Sequence, residues 1–434
     1  MKFLEKGAPI FLSQMSICSH DIARSMKKEK SPLRKRILFS LFLLVVYGFG
    51  KNIPLPYVDP SETVQQLQQN SFWQLTSVAT GGNFTVPTLF SLGLAPWMAG
   101  MIFWQLLTMT KIFGLDQLPQ KQVDLRRNLF ILVIALIEGI GTVLLMKDQF
   151  IDFSQGQLLE LTLLLVAGSF FLIWLANINS VWGLGGPSLL ILYGIVGSLG
   201  SQFGMIIRNI LTYPFWWALG ASVALIMATL GVIALAFIFE LSEYRLEINR
   251  IMLSQQLLKT SYIPLKLNAG GSMAFMFGLT MLMLPQALFQ LLVEYFPGNK
   301  ILLWLVSNSS STEFFGVTVY NIVLFSLTML FAYAMLDVTE MADNLRKSGD
   351  YFTGIDPGRP TAKYLRSKQR ATAFIGATFT VIVAGLPLYL GVIWPKYATV
   401  VMLPGMSIML VGLAVTVMFQ VRAIKILHNY DELF

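Results

Sequence analysis

The sequence predicts an all-α polytopic membrane protein with ten transmembrane helices, and three observations carry that prediction. Of its 434 residues 55% are hydrophobic and only 12% charged, about half the charged share of a soluble domain. Apolar runs near 20 residues recur along the chain, the length at which a helix crosses a ~30 Å hydrocarbon core. These runs are continuous, without the period-2 alternation of barrel strands, so a β-barrel is disfavoured.

The expected spans are 34–52, 92–110, 128–147, 158–178, 187–207, 214–239, 269–292, 314–336, 371–394 and 399–420. An even number places both termini on one side, and charge selects it. With the termini inside, the outer loops hold only Lys51, Lys147, Arg208, Lys300 and Lys396 of the 31 Lys and Arg. This positive-inside asymmetry predicts cytoplasmic termini. It also accounts for the net charge of +8 without nucleic acid as a partner.

The segments outside the spans follow in order. Residues 1–33 mix both charges and lack the apolar core and small-residue site of a cleavable signal. Within them FLEKGAPIFLSQMSICSHDIARSM fits either an amphipathic cytoplasmic helix or an irregular tail. The first outer connection, 53–91, contains SFWQLTSVATGGNFTVPTLFSLG, apolar but too short to cross. It predicts a re-entrant segment, which is tolerated only where protein or a water cavity surrounds the backbone. GLGGP at 183–187 predicts a tight cytoplasmic turn, since it lacks the Lys and the strand of a phosphate cradle. Loops 240–268 and 337–370 and the tail 421–434 are expected in the cytoplasm.

Little in the chain points to catalysis. Cys18 is the single cysteine, and His20 and His428 lie in opposite tails, so no metal or cofactor is expected. Glu138 is the one clear ionisable residue inside a span, and a buried carboxylate costs several kcal/mol unless protonated or paired. Gly200 and Gly204 form a GxxxG spacing, expected to serve helix packing. An interior of Met, Ile and Leu suits a passage sealed by apolar side chains. A secondary transporter would need a polar midplane site and an intramembrane enzyme would need His, Cys or paired acids, and neither pattern is present.

Several loops and span ends resemble the SecY family of protein-export channels. The matching stretches are IPLPYVD (53–59), FSLGLAPWMAGMIFWQLL (90–107), whose start should be a strand leading into the second span, and WGLGGPSLLILYGIVG (182–197). They continue with YIPLKLNAGGSMAFMFGLTMLMLPQ (262–286), ADNLRKSGDYFTGIDPGRPTAKYL (342–365) and SIMLVGLAVTVMFQVRAIKILHNYDE (407–432). The resemblance implies an inverted-repeat clamshell of two five-helix halves, 34–210 and 211–420, in the plasma membrane. It implies a pore ring of Leu94, Met98, Ile191, Met276 and Leu410, with Pro187 standing where the family has an aliphatic. The plug would lie at about 71–83, with Phe72, Trp73, Leu75, Gly81 and Gly82. A lateral gate would open between spans two and three and spans seven and eight, with Glu138 in a polar gate cluster.

The implied partners are a SecA-type ATPase, a SecE-like subunit with other small membrane subunits, the bilayer and an unfolded secretory chain. Motor docking would use Arg245, Arg250, Arg346, Lys347, Asp356, Arg359 and Lys363. Two departures from the general-export pattern stand out. Loop 240–268 is nearly charge-balanced where the family is basic, and Asp356 replaces an Arg in Gly-Ile-Arg-Pro-Gly. Reversed charge at a docking loop discriminates between partners. This resembles the accessory SecY branch of Gram-positive bacteria, which implies an accessory SecA and glycosylated serine-rich adhesins as cargo.

Overall fold

Proline and glycine punctuate the chain, and in the computed structural model several helices begin or end at or beside them. The structure describes residues 32–57, 80–82, 88–109, 119–145, 155–210, 214–249, 262–268, 270–296, 298–308 and 313–431. In chain order the first helices are α1 (Pro32–Gly50), α2 (Ala95–Met109), α3 (Gln120–Leu145), α4 (Gln155–Trp182), α5 (Pro187–Ile210) and α6 (Phe215–Leu241). Strands β1 (Glu243–Glu247) and β2 (Tyr262–Lys266) follow, then α7 (Gly271–Tyr295), α8 (Lys300–Asn308), α9 (Phe314–Ala334) and α10 (Val338–Ser348). Helix α11 (Arg359–Thr380) runs through a π-turn, Val381–Gly385, into α12 (Leu386–Ile393), and α13 (Ala398–Asp431) closes the series.

Prolines at the first or second position open α1, α2, α5 and α11, where the missing N–H is an orphan anyway. The π-turn precedes Pro387, whose absent amide forces the ladder to slip. Asp337 caps α10 by accepting from the amides of Thr339 (2.9 Å) and Glu340 (3.1 Å), and Gly349 ends it at φ 78°.

Eight described helical runs are long and apolar enough to cross a bilayer, so the chain is multi-pass. Helix α1 (19 residues) and α2 (15 residues) occupy the other two expected positions, which is consistent with ten crossings. Several helices overrun the expected limits: α3 starts at Gln120, α11 at Arg359, and α13 continues to Asp431. A hydropathy window sees only the part in hydrocarbon, whereas the hydrogen-bonded helix continues into water. The second span errs the other way. Residues 89–94 are turns, and the expected strand is reduced to one isolated bridge, Pro54 with Thr88.

Close approaches lock the bundle. The backbones of α13 and α7 meet at Gly412, where a Cβ would lie 2.0 Å from Ser272, and Gly405 makes room for the ring of Phe275. The GLGGP segment makes the tight turn expected of it, with Gly185 and Gly186 at positive φ, and is tied down further by polar bonds. Asn179 donates to the carbonyls of Leu184 (2.8 Å) and Gly186 (2.9 Å), and Ser40 of α1 donates to Asn179 (2.8 Å). The amide of Gly185 donates to Gln420 of α13 (2.8 Å). Among the described residues, the packing expected of Gly200 and Gly204 is not found: a Cβ at either would meet nothing within 4 Å.

Candidate functional site

The residues expected to form a ring come from four helices and from the turn that leads into one of them. Leu94 and Met98 lie one turn apart at the start of α2, and Ile191 lies one turn into α5 beyond Pro187. Leu94, Met98, Ile191 and Met276 belong to one contiguous apolar core, and the partly buried Leu410 packs against it. Each of those four is 5% exposed or less. An apolar lining, where it narrows a passage, excludes water because it offers no hydrogen bond, and it has no polar group that would hold a moving peptide.

The backbone just before α2 positions Leu94. The Leu94 amide donates to the Thr80 carbonyl at 2.8 Å, while its carbonyl accepts the first bond of the helix from Met98 (3.0 Å). Gly93 at φ 58° and Gly81 at φ 70° allow the two segments to meet without Cβ clashes. Of the expected plug residues, Gly81 and Gly82 sit buried here, while Phe72, Trp73 and Leu75 lie outside the described residues.

Helices α2 and α3 pack against α7 along one seam. At Gly141 of α3 a Cβ would come within 2.4 Å of the Ala287 Cβ on α7, and at Gly100 of α2 one would lie 2.6 Å from Ile131. Glu138 sits one turn before Gly141 and is 1% exposed. Its backbone carbonyl accepts from Thr142 (2.7 Å), but neither carboxylate oxygen has a hydrogen-bond partner. Among the described residues, the expected polar cluster is therefore not seen to hydrogen-bond this carboxylate in the packed seam.

Loops 240–268 and 337–370 form a unit that the sequence reading missed. Strands β1 and β2 pair antiparallel, from Glu243 opposite Lys266 to Glu247 opposite Tyr262. Leu246, Ile248 and Leu265 bury against Val338, Ala342 and Leu345 of α10 and against Phe352 and Leu365. The alternation Leu246, Ile248 is the signal that would have found this strand. Asn249 and Tyr351 then exchange backbone bonds (2.9 and 3.1 Å), which stitches loop 240–268 to loop 337–370.

The expected docking residues decorate this unit. Arg245 pairs with Glu243 (3.1 Å) and lies over the Tyr262 ring, and Arg346 pairs with Asp343 at 3.6 Å. Both pairs are exposed and contribute little to stability. Lys347, Asp356, Arg359 and Lys363 are exposed, and Arg250 lies outside the described residues. The shape of the Asp356 turn comes from Gly354 (φ 77°), Gly358 (φ 100°) and the Thr361 hydroxyl, which donates to the Asp356 carbonyl at 2.8 Å. Backbone geometry is thereby satisfied while the carboxylate remains free to face a partner.

Known proteins share this fold. A family model described as SecY matches residues 88–421. The accessory Sec system protein translocase subunit SecY2 of Streptococcus gordonii is 30% identical, over 94% of this chain and 100% of its own. The same subunit of Leuconostoc gelidum subsp. gasicomitatum is 28% identical, over 92% of this chain and 96% of its own. Among solved structures, a protein-conducting channel superposes with a TM-score of 0.65 at 16% identity, covering 92% of this chain and 94% of that one.

Proposed function

The chain belongs to the SecY family, and on that premise we propose that it is the protein-conducting subunit of an accessory Sec translocase in the plasma membrane, with cytoplasmic termini. The observation that carries the reading is the convergence of Leu94, Met98, Ile191 and Met276, from α2, α5 and α7, in one apolar core with Leu410 of α13 against it.

The ring works by dewetting and by compliance. In the resting state its packed apolar side chains leave no room for hydrated ions. An unfolded secretory chain parts them, and the unbranched Met98 and Met276 side chains refit to each passing residue. The halves 34–210 and 211–420 move apart for this, with the α2–α3 seam against α7 and α9 as the lateral exit for apolar segments. Glu138 tunes that seam: opening would admit water to a carboxylate that the packed state leaves unpartnered.

The energy comes from a separate SecA-type ATPase of the accessory form, docked on the hairpin unit around Asp356, Arg359 and Lys363, with SecE-like and other small subunits at the membrane. The cargo is the class of glycosylated serine-rich adhesins. A secretory chain stalled during export and carrying a photocrosslinker should couple to Met98 and Met276. Efficient crosslinks elsewhere with neither of these would sink the pore assignment.

A further inference from the structure

Residue Tyr47 of the first span reaches the short segment 80–82, which is bonded to Leu94. It is 1% exposed, and its hydroxyl donates to the carbonyl of Gly81. Its ring is held on two sides. It stacks on Phe90 (6.2 Å, 7°) and meets Tyr193 of α5 edge-on (5.6 Å, 79°). Phe90 in turn stacks on Phe171 of α4 (5.9 Å, 15°). Helix α1 is shaped for this: a Cβ on Gly50 would lie 2.1 Å from the Phe90 ring, and one on Gly48 would lie 3.2 Å from the Tyr193 hydroxyl. Four elements thus aim one phenol.

Its target is a short buried segment zipped to the ring. Thr80 has no exposed surface and accepts from the Leu94 amide at 2.8 Å. A Cβ on Gly82 would lie 2.3 Å from the Ser91 carbonyl, and one on Gly93 2.7 Å from the Thr80 carbonyl. The two segments therefore fit only as backbone against backbone. Gly81, at φ 70°, turns its carbonyl to a donor on a different span.

We infer that Tyr47 is a positioning residue that holds residues 80–82 against the backbone of Leu94, so that its hydroxyl sets how tightly the resting channel is sealed. This rests on the channel reading above. Without the hydroxyl, a buried carbonyl loses its donor and separation of residues 80–82 from Leu94 becomes easier. The aromatic packing survives in Tyr47→Phe, so the consequence is local.

The test compares wild type, Tyr47→Phe, Tyr193→Phe and Met98→Ser, each purified as the full chain, in planar-bilayer conductance and in amide exchange at Leu94. Tyr47→Phe should raise resting conductance and speed Leu94 exchange by about 2- to 10-fold, with global melting unchanged. Tyr193→Phe, which spares the bond to Gly81, should do neither. If Met98→Ser conducts while Tyr47→Phe remains tight and protected, the inference is overturned and the channel reading stands. Equal effects from both tyrosine variants would assign the change to aromatic packing and also overturn it. If Met98→Ser is silent as well, the channel reading itself fails and the inference falls with it.

Discussion

Gly141 of α3 faces Ala287 of α7 so closely that a Cβ on the glycine would lie 2.4 Å from the alanine Cβ. No flexible side-chain end is available to yield at this contact, because the neighbour is a Cβ one bond from the backbone. The seam is therefore closed by the absence of a single atom. Gly141→Val should force α3 and α7 apart, at a cost to the packed state of about 1–3 kcal/mol. Export of a reporter with a weakened signal sequence should rise in this variant. A reporter still rejected as in wild type would remove the Gly141 contact from gating.

Glu138 lies one turn away with both carboxylate oxygens buried and unpartnered. Glu138→Gln keeps the size and removes the ionisable group. If opening of the seam lets water reach the carboxylate, the substitution favours the closed state and slows translocation in reconstituted vesicles. Equal rates for the two proteins would take Glu138 out of the mechanism.

Asp356 is exposed on a turn whose shape other residues supply, through Gly354, Gly358 and Thr361. Asp356→Arg should therefore leave folding unchanged and alter partner choice. Binding of the accessory ATPase should weaken and that of the general-export ATPase should strengthen, read by co-purification of each. If neither interaction moves, the charge reversal is not a determinant of motor choice.

Asn179 connects α1, α4 and the turn before α5 through three hydrogen bonds. Asn179→Ala strands the Leu184 and Gly186 carbonyls, and leaving a buried polar group unsatisfied costs about 1–3 kcal/mol. The melting temperature in detergent should fall clearly, whereas Asn179→Asp, which keeps only the acceptor, should fall between. A variant as stable as wild type would show that water or a shifted turn replaces these bonds.

Apolar runs made the spans legible, because burial in hydrocarbon is a property of composition over about 20 residues. Their ends were less so: α3 and α11 extend beyond the apolar runs on residues such as Gln120 and Lys363, which an apolar window cannot register. The hairpin was hidden by its small size. Leu246 and Ile248 give only two turns of alternation, and their burial depends on Leu345 and Phe352, about a hundred residues away. Among the ring residues, nothing in the local sequence separates Met276 from its neighbours Phe275 and Phe277. Only the family pattern singled it out.

By itself the sequence determined that this chain crosses the membrane many times, how its charges divide among the loops, and that it lacks the titratable clusters of an ion-coupled carrier. Those are sums over residues, and they do not depend on which helix meets which. The tertiary structure decided the contacts that make a channel of it: Leu94 bonded to Thr80, Gly141 against Ala287, Asn249 paired with Tyr351. Each joins atoms distant along the chain at separations of a few ångströms, where the presence or absence of one Cβ or one hydroxyl decides the fit.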